Sequence, residues 1–226
     1  MAKITKTEEE MRQQNVAEAV SKTELFFKEN GKLIYGCVIA VLVIAICVLA
    51  YNRFYLQPKK VQATDQMVRA EQWFQAGEYE LALNGDDNDL GFADILKQYG
   101  SKAGEAIYLY TGICQLQTGA YEEAISTLKK YDGEDVILLS RAQACIGDAY
   151  SELEDYGKAI SYYEKAAQTV DNAYAAAYLL KAGIAAEANG QPKKALGYYQ
   201  TIKDQWSNAP EAMEIEKYIT RIEIAE

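Results

Sequence analysis

The chain has 226 residues, a net charge of −10 and no histidine. Without imidazole, Ser-His-Asp and Cys-His catalysis and most zinc sites are excluded. From Pro58 onward 27 acids face 16 bases, which excludes the basic face that nucleic-acid binding needs.

Residues 1–32 read as a tail carrying Glu8, Glu9, Glu10, Glu18, Glu24 and Glu29. Val16, Val20 and Phe27 fall near one helical face, so a short amphipathic helix on a membrane surface competes with an unstructured tail. Leu33 to Tyr51 holds nineteen residues without a charge. As a helix this segment reaches about 28 Å, close to the hydrocarbon thickness of a bilayer. It is too long, and its leading flank too acidic, for a usual signal peptide, although Val48-Leu49-Ala50 fits a cleavage pattern. The reading is a retained transmembrane helix over 33–51, with Tyr51, Phe54, Tyr55 and Arg53 as its interfacial belt. Lys22, Lys28 and Lys32 on one side balance Arg53, Lys59, Lys60 and Arg69 on the other, so charge bias gives no orientation. Residues 52–62 read as a linker.

Helical spacing and regular turn signals follow over 63–210. Four stretches align: "FQAGEYELAL", "LQTGAYEEAI", "SELEDYGKAI" and "EANGQPKKAL". Their common alanines are Ala82, Ala124, Ala159 and Ala195, spaced by 42, 35 and 36 residues. Two of these spacings approach the roughly 34-residue period of a tetratricopeptide repeat, a helix-turn-helix unit. The small residue expected inside each first helix is Ala70, Gly112, Gly147 and Gly183. The bulky residue four positions after the common alanine is Leu128, Tyr163 and Tyr199 in the last three repeats. The first repeat is truncated, with an insertion over 84–100 whose "NGDDNDLG" breaks a helix. Asp86, Asp87, Asn88 and Asp89 have the composition of a calcium loop without its spacing, and read as a solvated loop. Residues 211–226 read as a capping helix with Met213, Ile215, Ile219 and Ile222 on its apolar face. Cys114 and Cys145 read as buried small groups, with a disulfide between them as the rival. The fold class is therefore all-α: one N-terminal transmembrane helix, about four repeats forming an α-solenoid, and a C-terminal cap.

Repeat stacks bind partners on the concave surface made by their first helices. The positions projected onto it are Met67, Phe74, Leu109, Ile113, Leu116, Leu180 and Ile184, interrupted by Arg141, Asp148 and Ser151. They predict a partly apolar groove with a charged centre, suited to a hydrophobic polypeptide segment. The rival is that the same side chains are internal packing. There is no Gly-rich phosphate loop, HExxH or GxSxG, and Glu122 with Glu123 reads as solvated charge. The expectation is a non-enzymatic interaction protein with no cofactor and no metal.

The "TELFFKENGKLIYG" approach to the span, the "YNRFY" exit and the degenerate repeats resemble the ancillary SecYEG translocon subunit family. The run from "ALNGDDNDLG" to "TGAYEEAI" is similar to repeat proteins of Bacteroidetes-type bacteria. That resemblance implies a bacterial inner-membrane protein with a cytoplasmic N-terminus and a periplasmic repeat domain. It implies as partners the SecYEG translocon, a membrane-anchored prolyl isomerase and exported polypeptides, and a chaperone-like role. The aspartate-rich insertion and the shifted spacing depart from the pattern. Two rivals stand beside it: a scaffold for another envelope complex serving secretion, gliding or outer-membrane assembly, and a cytoplasm-facing adaptor with the opposite topology.

Overall fold

The computed structural model describes residues 28–225. Val16, Val20 and Phe27 lie outside them. Helix runs from Lys28 to Gln75. It comprises α1 (residues 28–51), a π-helical turn (Asn52–Leu56) and α2 (Gln57–Gln75). Two compact units divide at Pro58 and Lys59.

In the first unit the side chains of α1 lie exposed, from Leu33 through Ile44 to Leu49. Among the described residues nothing covers the apolar side chains of this helix, which suits a lipid environment better than water. It is long and apolar enough to cross a membrane. Residues 52–62, expected as a linker, are helical throughout. They hold no glycine, and the one breaker, Pro58, is accommodated. Proline lacks an N–H and crowds the carbonyl four residues back. The π-turn widens the helix just before it, with the Gln57 N–H donating to the Asn52 carbonyl.

The second unit is built from helix pairs. After α2 come α3 (Tyr79–Asn84), α4 (Phe92–Tyr99), a 3-10 turn (Gly100–Ala103) and α5 (Ala106–Gln117). Then follow α6 (Tyr121–Leu128), α7 (Val136–Glu152), α8 (Tyr156–Thr169), α9 (Tyr174–Ala188) and α10 (Pro192–Gln205). A 3-10 turn (Pro210–Met213) leads to α11 (Ile215–Ala225). Four turns close alike. One residue takes a left-handed backbone, at Gly77, Gly119, Glu154 and Gly190. The next N–H then reaches back to a carbonyl of the preceding helix: Glu78 to Trp73, Ala120 to Gln115, Asp155 to Tyr150 and Gln191 to Ala186. This satisfies carbonyls that a helix end leaves orphaned.

The repeat alanines Ala82, Ala124, Ala159 and Ala195 are fully buried. Within each of the last three pairs a glycine admits the bulky side chain opposite. A Cβ on Gly112 would stand 2.4 Å from Leu128 Cγ, one on Gly147 2.7 Å from Tyr163 Cδ1, and one on Gly183 2.2 Å from Tyr199 Cε1. The first pair is built differently. α3 stops at Asn84, and Asp86 Oδ1 accepts the Asn88 and Asp89 N–H groups at 2.8 Å each. α4 then supplies Phe92 and Ile95 to a core shared with Met67, Ala70 and Trp73 of α2. Phe92 stacks on Tyr110 at 5.3 Å between ring centres. Cys114 and Cys145 are buried free thiols.

In the cap, Ile215, Ile219 and Ile222 are buried in one core with Tyr199 and Ile202 of α10. Met213, expected on that apolar face, is 85 % exposed. It lies in the 3-10 turn before α11, off the i, i+4, i+7 stripe that the isoleucines define.

Candidate functional site

The first helices of three consecutive pairs, α5, α7 and α9, meet at a cavity of about 420 Å³. Leu116 and Gln117 come from α5, Asp148, Ser151 and Glu152 from α7, and Lys181 from α9. Tyr121 and Tyr163 come from the second helices α6 and α8. The volume falls within the usual range of ligand pockets.

The wall between α7 and α9 is a closed charge network. Lys181 Nζ donates to both Asp148 carboxylate oxygens, at 2.7 and 2.8 Å. Tyr163 Oη donates to Asp148 Oδ1 at 2.8 Å. Burial, and then the Asp148 carboxylate, pushes the Tyr163 phenol far above its ordinary range. Between α6 and α7, Tyr121 Oη donates to Glu152 Oε2 at 3.4 Å, and that carboxylate raises the Tyr121 phenol. One repeat further on the same device recurs. Tyr199 Oη donates to Glu187 Oε1 at 2.5 Å, and Arg221 of α11 reaches the same oxygen at 2.6 Å. Lys181 follows Asp148 by 33 residues and Arg221 follows Glu187 by 34, so each cation comes from one repeat ahead. The cap supplies to the last pair what the next first helix supplies to the pair before it.

The projected partner-binding residues divide into two sets. Met67, Leu109, Ile113 and Leu116 are only 5, 3, 5 and 8 % exposed. They are packed into the cores between helices, and Leu116 alone of the four also borders the cavity. Phe74 is half-buried, edge-on to Tyr79 at 5.6 Å and to Tyr110 at 5.1 Å. Leu180 is half-buried against the core around Tyr199. Asp148 lines the cavity. Arg141 and Ile184, the latter 46 % exposed, are accessible but outside its lining. Burial of these side chains agrees with the rival reading of internal packing, and the cavity itself is lined by mostly polar groups. Three- and four-residue spacing on α5 turns Leu109, Ile113 and Leu116 toward α6 and α7 together, because a buried apolar stripe is what joins the helices. Sequence projection missed Gln117, Tyr121, Glu152, Tyr163 and Lys181. The repeat-length spacing of Asp148 and Lys181 is the signal that could have found the last. No cluster of three or more potential metal ligands occurs among the described residues.

The fold and its groove define a solenoid of helical hairpins of the tetratricopeptide type. Residues 177–209, covering most of α9, α10 and the turn after it, match the tetratricopeptide repeat family. The α5–α6 and α7–α8 pairs repeat that construction, with the same glycine, alanine and turn positions. No curated protein matches the chain. Repeats of this class are typically protein–protein interaction modules rather than catalysts.

Proposed function

We propose that this protein is a membrane-anchored interaction scaffold that holds partner polypeptides in the concave groove of its repeats. The carrying observation is the joint presence of an apolar helix left exposed among the described residues and a hairpin solenoid with an open cavity. Anchoring raises the groove's effective concentration for any chain emerging beside it. The family resemblance carried by the "FFKENGK" approach to the span favours a place at the bacterial inner membrane, N-terminus in the cytoplasm and repeats in the periplasm. In this reading the protein assists exported polypeptides beside the SecYEG translocon and a membrane-anchored prolyl isomerase. The proposed contact residues are the cavity lining together with the accessible Arg141 and Ile184.

The polar lining also favours a second reading. A groove with fixed charge partners suits one specific partner better than varied unfolded chains, as in a secretion, gliding or outer-membrane assembly complex. A mild-detergent pull-down of the C-terminally tagged protein from its native membrane, read by mass spectrometry, separates the two. Sec channel subunits and a prolyl isomerase are expected. Another envelope complex without Sec subunits would overturn the first reading in favour of the second.

A further inference from the structure

Of the charges around the cavity, one is left without a counter-charge. Lys181 is occupied by both oxygens of Asp148, which also accepts the Tyr163 hydroxyl. Glu152 has only the long bond from Tyr121, and no described cation lies within ion-pair distance of it. The charged lining consists of two acids, Asp148 and Glu152, and one base, Lys181. Leu116 is the one aliphatic group in the lining.

We propose that the cavity takes a lysine or arginine side chain from an extended segment of the bound protein. The proposal rests on the groove being the partner-binding face. The cation would lie between the Glu152 carboxylate and the Tyr121 ring, its stem against Leu116. The carboxylate attracts a cation by charge, and the aromatic ring in the same lining offers its quadrupole. Acidic surroundings in a concavity focus that field. An anionic ligand finds no free cation in the lining: it would have to take Lys181 from Asp148 and leave a partly buried carboxylate unpaired. An apolar ligand would bury Glu152 without compensation.

The test uses the full chain in detergent micelles and dye-labelled Gly-Ser-Ala peptides carrying spaced arginine, glutamine or glutamate, followed by fluorescence anisotropy. The arginine peptide is expected to bind about tenfold more tightly than the glutamine one, and the glutamate peptide most weakly. Glu152→Gln, at an exposed position that keeps the fold, is expected to remove most of that preference. Glu134→Gln makes the same charge change two residues before the start of α7 and is expected to leave the preference within about twofold. If Glu134→Gln costs as much as Glu152→Gln, the attraction belongs to bulk charge and the proposal fails. Equal binding of the arginine and glutamine peptides sinks the cation pocket while the groove reading stands. If no peptide binds, the groove reading fails with it.

Discussion

At the residue scale the hairpins depend on single atoms. The missing Cβ of Gly183 is occupied by the ring of Tyr199, which is fully buried and has no free volume to move into. Gly183→Ala should cost about 1–3 kcal/mol by overpacking. In a chain of this size that lowers Tm by several degrees, measurable by thermal circular dichroism. Adding Tyr199→Leu should recover part of the loss, so the two costs should not sum. Glu154 is the one non-glycine in the described residues with a left-handed backbone, at φ 58°. Glu154→Gly should gain about 0.5 kcal/mol, because relief of left-handed strain slightly exceeds the added entropy of the unfolded chain. A loss on substitution would show that the strain is smaller than that entropy. The buried thiols set an alkaline limit. Burial pushes Cys114 from an ordinary value of 9.0 to about 12, and Cys145 to about 11, with Asp148 adding to the latter. The folded state thus keeps protons that the unfolded state releases. This stability is complete below pH 9 and falls as pH rises through the folded values. Cys114→Ala should flatten the decline of urea stability between pH 9 and 11, whatever its effect at neutral pH.

At the scale of elements, the cap illustrates which force joins one pair to the next. Arg221 pairs with Glu187, but its side chain is 56 % exposed, and such pairs contribute little once solvent screens them. Ile219 is buried in the same helix. Ile219→Ala should cost about 2–4 kcal/mol. Arg221→Ala should cost under about 1 kcal/mol. Equal effects in chemical denaturation would mean that the charge network, not apolar burial, holds α11. The same reasoning explains the groove. Apolar side chains on the first helices are used to join helices, and what is left to line the cavity is polar. The residues that the periodicity picked out most easily were therefore those least available to a partner.

At the scale of the whole molecule, the two units differ in what they do with their apolar side chains. α1 presents apolar side chains to its surroundings, whereas the unit from Lys59 to Glu226 buries its own. The full chain should stay with membranes after alkaline carbonate extraction. A chain beginning at Lys59 should be soluble, monomeric and helical by circular dichroism. Release of the full chain by carbonate would refute the anchor.

Much of this architecture was legible in the one-dimensional pattern. Nineteen uncharged residues are long and apolar enough to cross a membrane, and that follows from length and composition alone. Helix pairing was equally readable, because the glycine and alanine positions of the last three repeats recur every 35 or 36 residues, as close helix–helix approach requires. What the chain order hid was contact between side chains far apart in it. The sequence could not show that Pro58 would be absorbed by a π-turn, that Met213 would fall off the cap, or that Lys181 would close on Asp148 across a whole repeat. Those outcomes depend on the packing angle and register between helices, which tertiary contacts set and local spacing does not encode. The same contacts buried Leu109 and Ile113 and left Glu152 facing an open cavity without a counter-charge.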